Sequence, residues 1–333
     1  MRLLLSLLTF FFTLALLGGG AALFWGLHEF RKEGSFAETR YILIEKGSGL
    51  NAIAAQLERE GLIGNSTLFR VAARLKDSHT KLKAGEYEIA AASSMADILD
   101  KIEKGDVYDR KLTFREGLTS WQIVQILNKA DNLSGDQLTS VPVEGSLLPE
   151  TYHFMKSDTR ASVIQQMEVA MKKVQDELWL GRNPDIPLTT MKEVITLASI
   201  VEKETGVPEE RRAVAGVFIN RLRRGMPLQS DPTAIYALTK GEVKDDGQGP
   251  LGRRLLRKDL ETDSPYNTYK YPGLPPGPIC NPGKESIAAV LNPEAHDYIY
   301  FVADGTGGHV FARTLAEHED NVRKWRKIRA QAR

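Results

Sequence analysis

Thr196-Leu-Ala-Ser-Ile-Val-Glu-Lys-Glu-Thr205 is an apolar run that ends in two carboxylates, Glu202 and Glu204. The apolar positions in and before it recur at helical spacing, which predicts a helix with one stripe facing a core. At about 100° per residue the two glutamates leave that stripe on opposite sides, so either can lie at its rim. A carboxyl group there is partly desolvated, which raises its pKa and makes it a usable proton donor. The pattern is more often that of a solvated helix end, and spacing alone leaves both interpretations open.

The composition is typical of a globular protein with roughly two domains, at about 100–200 residues per domain. The 333 residues are 42% apolar and 26% charged, and the net charge is +1. With no clustered basic stripe, this balance argues against a nucleic-acid partner. The single cysteine, Cys280, excludes an internal disulfide framework and any zinc site built on several cysteines of this chain.

Residues 1–32 are predicted to form a membrane anchor. The stretch from Leu3 to Leu27 carries no charged side chain, and its length suffices for the ~20 residues that cross a bilayer core. A cleaved signal peptide is the alternative, but its apolar core is usually only ~7–15 residues long. Arg2 on one side and Arg31 with Lys32 on the other nearly balance the positive-inside rule, so charge leaves the orientation open.

A strand–glycine–helix pattern occurs twice, which predicts a small α/β module over residues 38–130 built from related halves. The first copy runs from Tyr41 through Gly47 to Gly61, and the second begins at Leu112. Small wall-binding modules of the LysM kind look loosely similar, and a structural spacer is the alternative. At one offset of the chain, Gly47 aligns with Gly117, Ile53 with Ile123, and Leu57 with Leu127.

Polar residues gather in two places around the Glu202–Glu204 helix. Glu150 follows Pro149 in a loop or helix start that either caps a helix or lines a cleft. Asn220 interrupts the apolar face of a later helix. Gln229, Asp231 and Thr233 then surround a proline at the start of another helix, where capping is the alternative role for Asp231.

A rigid irregular loop follows, because Gly273 to Gly283 holds four prolines and three glycines. Rigid loops are natural places to hold binding groups on a scaffold. Aromatic faces and amides nearby suit sugars; they belong to Tyr266, Asn267, Tyr269 and Asn281. The strands at 298–303 and 309–312 are predicted to pair as a hairpin.

The sequence contains no recognised motif for metal binding or for a catalytic nucleophile. The histidines follow no ligand spacing, and His-Glu-x-x-His and Gly-x-Ser-x-Gly are absent. Carboxylate acid–base chemistry on a neutral polar substrate remains, and no cofactor is expected.

Several ordered stretches resemble the endolytic murein transglycosylase MltG (YceG-like) family, from the anchor to the C-terminal helix. They are Glu144-Gly, Pro149-Glu-Thr-Tyr, Leu197-Ala-Ser-Ile-Val-Glu-Lys-Glu-Thr, Val217-Phe-Ile-Asn-Arg-Leu, Leu228-Gln-Ser-Asp-Pro-Thr, Tyr266-Asn-Thr-Tyr, Gly273-Leu-Pro-Pro-Gly-Pro-Ile and Tyr300-Phe-Val-Ala-Asp-Gly-Thr-Gly-Gly-His-Val-Phe. Departures are small, since Gly206 and Ser230 stand where relatives accept other residues.

The resemblance implies an α+β protein: a single transmembrane helix, a LysM-like subdomain and a larger mixed α/β catalytic domain over residues 140–333. It implies a single-pass bacterial inner-membrane protein with its body in the periplasm. The expected substrate is the nascent peptidoglycan strand, with peptidoglycan synthases and the elongation or division machinery as partners. The family's catalytic glutamate matches Glu204, which leaves Glu202 a secondary role.

The expected reaction is lytic transglycosylation, in which one carboxyl group acts first as acid and then as base and leaves a 1,6-anhydro-MurNAc end. A lysozyme-like muramidase with a second carboxylate, and a non-catalytic wall-binding or division scaffold, are the alternatives. Besides the catalytic Glu204, the secondary or substrate-binding candidates are Glu202, Asn220, Gln229, Asp231, Thr233, Tyr266, Asn267, Tyr269, Asn281 and Glu150.

Overall fold

The computed structural model describes residues 2–155, 158–243 and 250–331, with side chains from Leu8 onward. The chain divides into two compact units. The smaller unit extends through Arg110 and includes Phe154 and Met155, and the larger unit holds the rest. Both units contain helices and short strands, so the mixed α/β class that the sequence predicts is confirmed.

The smaller unit packs three short helices against a two-stranded antiparallel sheet. Strands β1 and β2 pair from Arg40 opposite Ile89 to Ile44 opposite Gly85. Ser94 caps α4, because its hydroxyl accepts from the Asp97 amide at the start of that helix. The elements are α1 (Arg2–Arg31), β1 (Arg40–Ile44), α2 (Leu50–Arg59), α3 (Ser66–Leu75), β2 (Gly85–Ile89) and α4 (Met95–Lys104).

Helix α1 is long and apolar enough to cross a membrane by length and composition, over Leu8–Arg31. A helix was predicted here, but it continues past Leu27 to Arg31. The extra turn is stabilised by packing, because Phe30 is buried in the core of the smaller unit. The sequence analysis assigned no element to α3, which begins where the Asn65 side chain accepts from the Leu68 amide.

The larger unit is mainly helical. Helices α7, α8 and α10 pack on one another around its main apolar core. Its elements are β3 (Arg110–Thr113), α5 (Ser120–Lys129), β4 (Thr151–Phe154), α6 (Arg160–Trp179), α7 (Met191–Glu204), α8 (Arg211–Arg223), α9 (Asp231–Thr239), α10 (Lys284–Leu291), β5 (Tyr300–Ala303), β6 (His309–Ala312) and α11 (Leu315–Gln331).

The strands of the larger region form two small sheets, β3 with β4 and β5 with β6. The predicted hairpin is confirmed, with Tyr300 opposite Ala312 and Ala303 opposite His309. The segment after Pro149 starts no helix, so the capping alternative does not apply there: Thr151 begins strand β4.

The two copies of the repeat share a backbone feature. Gly47 and Gly117 have φ of 86° and 77°, a left-handed conformation that glycine adopts without steric cost. The aligned isoleucines and leucines are buried in both copies. The first copy lies in the smaller unit and the second in the larger one. The 38–130 boundary and the LysM-like character of that region stay predictions.

Candidate active site

Helix α7 carries a carboxyl group to the edge of the core. Its N-cap residue is Thr190, whose hydroxyl accepts from the Glu193 amide. The Glu193 carboxylate in turn accepts from the Thr190 amide. Every residue from Val194 to Val201 is buried. The helix ends at Glu204, because Thr205 is extended. A carboxylate in the last turn meets the negative end of the helix dipole, which disfavours its charged form.

Glu204 is held by a short hydrogen bond and titrates near neutrality. The Ser230 hydroxyl donates to Glu204 Oε1 at 2.5 Å. Burial raises the pKa of Glu204 to about 7, with the charge of Asp231 adding to the rise. The Ser230 bond, His309 and Arg221 act in the opposite direction on this pKa. A carboxyl group with such a pKa exchanges its proton readily at neutral pH.

Backbone hydrogen bonds hold Ser230 in place, and its side chain does not cap α9. It occupies the N-cap position, yet its side chain makes no capping bond. Its amide donates to Thr268 Oγ1 at 3.1 Å, and the Thr233 hydroxyl donates to its carbonyl at 2.7 Å. Gln229 just before it has a φ of 51°, a left-handed conformation that is uncommon outside glycine. Backbone strain of this kind concentrates at functional sites.

Asp231 and Tyr269 form a second polar pair beside Glu204. The Tyr269 hydroxyl donates to Asp231 Oδ1 at 2.6 Å. Burial raises the pKa of Tyr269 well above its usual range, so this phenol stays a neutral donor. The capping role weighed for Asp231 does not apply, because Ser230 occupies the cap and Asp231 lies in the first turn.

Three further groups near Glu204 were not among the predicted site residues. Arg221 is buried and donates to the carbonyls of Ile299 and Leu228, both at 2.7 Å. His309 Nδ1 lies 2.6 Å from Glu210 Oε2, and the His309 amide donates to the same carboxylate at 2.8 Å. An arginine inside an apolar helical face was the available signal for Arg221, whereas the Glu210–His309 pair joins residues 99 positions apart.

Glu202 belongs to different surroundings. Its carboxylate accepts from the Gly283 amide at 3.0 Å and lies 3.7 Å from Arg211 Nη2. Arg211 also donates to Glu116 at 3.0 Å. Glu202 therefore anchors the loop before α10, and Glu204 faces the segment that begins α9. Glu202 and Glu204 lie about a quarter-turn to either side of the buried stripe of α7, and this places them in different environments.

Several candidates hold loops together instead of joining this cluster. Asn267 is fully buried and donates to the carbonyls of Leu260 and Thr262, both at 2.8 Å. Asn220 donates to the carbonyls of His296 and Tyr298.

Asn281 is also fully buried. It accepts from the Leu147 amide at 3.0 Å and donates to Leu118, Ser120 and Glu144.

The remaining candidates lie at the periphery. Gln229 is exposed. Thr233 is buried, and its hydroxyl donates to the Ser230 carbonyl. The half-buried Tyr266 ring packs 4.9 Å from that of Tyr236, centroid to centroid. Glu150 is exposed, and its carbonyl accepts from the Phe114 amide.

A cleft of about 250 Å³ opens next to the end of α7, within the larger unit. Its walls include Lys203, the start of α9 at Pro232, and Tyr236. Beneath it lies Glu144, whose pKa burial raises to about 7 and whose carboxylate accepts from the Ser120 amide at 2.7 Å. Within the described residues, no three His, Cys, Asp or Glu side chains group closely enough to hold a metal ion.

Comparison with known proteins gives one consistent family. The model of the YceG-like family matches residues 42–324. A protein of Streptococcus pneumoniae strain R6 named endolytic murein transglycosylase is 34% identical over 326 residues, covering 84% of this chain and 57% of the relative. A protein of Bacillus subtilis strain 168 with the same name is 33% identical over 314 residues, covering 85% of this chain and 84% of the relative.

The chain thus spans just over half the length of the pneumococcal relative. Among solved structures, the crystal structure of a putative YceG-like protein from Listeria monocytogenes is 32% identical in sequence. That comparison has a TM-score of 0.48 and covers 85% of this chain and 99% of the other. With the family model matched over most of its residues and two relatives about one-third identical over the same region, this chain belongs to the YceG-like family.

Proposed function

We propose that this protein is a lytic transglycosylase that cuts nascent peptidoglycan strands internally, between MurNAc and GlcNAc. The supporting observation is Glu204, a half-buried carboxyl group with a pKa of about 7 that accepts a 2.5 Å bond from Ser230. The names of the pneumococcal and Bacillus relatives support the same reaction. Internal cuts of this kind terminate strand elongation.

In the proposed reaction Glu204 acts twice. The protonated carboxyl donates its proton to the glycosidic oxygen as the bond from MurNAc C1 to that oxygen breaks. The resulting carboxylate then takes the proton of the C6 hydroxyl of the same MurNAc, whose oxygen bonds to C1 and closes the 1,6-anhydro ring. Glu204 returns to its protonated state, and no water enters the product. Because the nucleophile belongs to the substrate, its positioning replaces the activation of a water molecule.

The residues around Glu204 have distinct proposed roles. Ser230 orients the carboxyl group and stabilises its charged form between the two proton transfers. Asp231, held by the Tyr269 hydroxyl, presents its second carboxylate oxygen as an acceptor to the sugar hydroxyls. Gln229 is exposed beside them and is the proposed outer contact with the strand. Asn220, Thr233, Asn267 and Asn281 act by holding these segments in place.

A lysozyme-like muramidase is the second candidate reaction. It requires a second carboxylate across the sugar ring, at about 5–5.5 Å from the acid for retention or 6.5–9.5 Å for inversion. Asp231 is the carboxylate whose charge raises the Glu204 pKa, but it already accepts a bond from Tyr269. Glu202 is turned toward Gly283 and Arg211. The transglycosylase reaction therefore fits the arrangement better.

The remaining expectations concern location and partners. We propose a single-pass anchor at α1 in the bacterial cytoplasmic membrane, with the body on the periplasmic side, where glycan strands are made. A LysM-like role in wall binding for residues 38–130, a catalytic domain over residues 140–333, and association with peptidoglycan synthases are proposed with it. The apolar Leu8–Arg31 helix is the structural support for the anchor.

The reaction is tested with uncrosslinked glycan strands and mass analysis of the products. Glu204→Gln should lower the rate by at least about 100-fold, the lower range for losing general acid–base catalysis. Glu202→Gln is the matched control and should retain most of the activity, because glutamine keeps an acceptor for Gly283. Full activity of Glu204→Gln rules out the assignment. Reducing MurNAc ends in place of anhydro ends identify a muramidase, and strand binding without any product identifies a scaffold.

A further inference from the structure

Helix α3 of the smaller unit has a broad apolar face, and the unit covers only part of it, because Leu68 and Ala72 pack against its core while Val71 and Leu75 do not. Phe69 and Ala73 are fully buried in the core. A second stripe runs along Leu68, Val71, Ala72 and Leu75 at the i, i+3, i+4, i+7 spacing of a helix face. On that stripe Val71 is 49% exposed and Leu75 is 76% exposed. A contiguous apolar stripe of this size marks an interaction surface.

The second stripe forms one wall of an apolar groove of about 520 Å³. The opposite wall is the last part of α1, including Leu23, Gly26 and Leu27. Gly26 lies against α3, since a Cβ there would sit 3.6 Å from Leu68 Cδ1. The groove therefore opens along the same helix that is apolar enough to cross a membrane.

The position of the groove on α1 indicates what covers it. Leu23, Phe24 and Leu27 are 60%, 75% and 49% exposed, so the apolar surface of α1 continues into the groove without a polar break. In a bilayer this end of α1 is surrounded by acyl chains and headgroups, and an apolar stripe beside it contacts the same lipids. Covering the stripe with lipid requires no additional protein.

Charged residues around the groove match the headgroup region. Arg31 ends α1, Lys32 follows it and pairs with Glu29 at 3.6 Å, and Arg74 is exposed on the polar face of α3. Lys76 follows α3 and pairs with Asp100 at 2.5 Å on the rim of the groove. An apolar stripe bordered by arginine and lysine is the pattern of a helix that lies in the plane of a membrane interface.

We propose that α3 is an interfacial helix whose Leu68–Leu75 stripe contacts phospholipid acyl chains beside the end of α1. This proposal rests on the proposed anchoring of α1. It goes beyond anchoring because it assigns a second membrane contact, which fixes the orientation of the smaller unit on the bilayer surface.

The test uses the full chain reconstituted in liposomes of phosphatidylethanolamine and phosphatidylglycerol. Single cysteines replace Val71 or Leu75, are labelled with a fluorophore, and are exposed to lipids that carry a doxyl quencher in the acyl chain. Arg74→Cys, exposed on the polar face of α3, is the matched control, and Phe24→Cys on α1 reports the anchor. Cys280 is buried and is not expected to label in the folded protein.

At least twofold stronger quenching at Val71→Cys and Leu75→Cys than at Arg74→Cys is the expected result. Equal quenching at the three positions, with Phe24→Cys strongly quenched, overturns the interfacial helix and leaves the anchor intact. Quenching at none of the four positions refutes the anchor and the proposal together. If a protein partner covers the groove instead, Val71 and Leu75 stay unquenched in pure lipid.

Discussion

The Ser230 hydroxyl is the strongest local influence that keeps the Glu204 carboxylate ionisable despite its burial. Because its hydrogen bond favours the charged form, Ser230→Ala should raise the pKa of Glu204 by about one unit, given that a bond to a charged group contributes about 1.5–3 kcal/mol. The enzyme needs Glu204 protonated at the start, so the falling limb of activity at high pH should move upward. The rate of anhydro-product formation across pH measures this shift.

Ser230→Thr is the control for that change, since threonine keeps a hydroxyl at the same position. Its pH profile should stay with that of the parent protein. We expect Ser230→Ala to lose about tenfold in rate at its optimum as well, because a carboxyl group that is no longer oriented meets the glycosidic oxygen less often. An unchanged pH limb in Ser230→Ala would show that the hydroxyl does not act on the Glu204 proton.

The raised pKa of Glu204 also has a cost in stability. The unfolded chain ionises this group near 4.5, whereas the folded protein ionises it only near 7. The contribution of Glu204 to the free energy of unfolding is therefore highest below pH 4.5, falls as the pH rises from 4.5 to 7, and stays low above pH 7. Glu204→Gln does not ionise, so at pH 8 it should unfold with a free energy about 1–3 kcal/mol higher than the parent.

Urea unfolding at pH 4.5 and pH 8 measures that difference. At pH 4.5 the two proteins should differ by less than about 0.5 kcal/mol, because the folded carboxyl is neutral and the unfolded one is only half ionised. A glutamine variant with the same stability as the parent at pH 8 would contradict a desolvated Glu204.

Helical periodicity in the sequence predicted that a carboxyl group would lie at the rim of the α7 stripe, but it left Glu202 and Glu204 equivalent. Their difference arises from partners distant in the chain: Ser230 for Glu204 and Gly283 for Glu202. Composition suggested sugar-binding amides in the loop up to Gly283, yet Asn267 and Asn281 are buried in it. A sequence shows which side chains are polar, but only tertiary packing shows whether a loop turns them inward.

Helices and loops of the larger unit are joined by a buried hydrogen-bond network around Asn281. Its side chain links the start of α5 at Ser120, the loop at Leu147 and the carboxyl group of Glu144. Asn281→Ala leaves several of these groups buried without a partner, at about 1–3 kcal/mol each. We expect the free energy of unfolding to fall by about 2–3 kcal/mol, measured by urea titration.

Asn292→Ala is the matched control, because Asn292 is exposed and its amide makes a single surface bond to Gly181. It should change the free energy of unfolding by no more than about 0.5 kcal/mol. The KM of folded Asn281→Ala for glycan strands should equal that of the parent. A raised KM with unchanged stability would instead favour the original prediction that Asn281 contacts the strand.

Elements with a clear local signal were predicted well. Capping residues and a glycine stop mark α4, and a long apolar stripe marks α7. Strand β4 was missed, because Thr151 to Phe154 is too short for a recognisable alternation and depends on pairing with β3. Capping of α9 by Asp231, the alternative weighed for this residue, does not occur: Ser230 occupies the N-cap position and its hydroxyl donates to Glu204, a contact that the local sequence does not reveal.

Across the whole chain, the apolar N-terminal helix followed from composition, and the mixed α/β class followed from the family resemblance. The repeated strand–glycine–helix pattern does not mark the compact units, because its two copies lie in different ones, and the 38–130 module stays a prediction. Similarity between two segments records a shared local structure. The set of residues that buries each segment decides the unit to which it belongs.

The orientation of the chain in the membrane is the last expectation, and charge alone leaves it undetermined because cations flank both ends of α1. A protein that cuts glycan strands must place Glu204 outside the cytoplasm. Proteinase added to intact spheroplasts should therefore degrade the body after Lys32, while a cytoplasmic marker protein survives. Spheroplasts lysed with detergent, in which both proteins are digested, are the control. Survival of the body until lysis would place it in the cytoplasm and remove the access to peptidoglycan on which the proposed function depends.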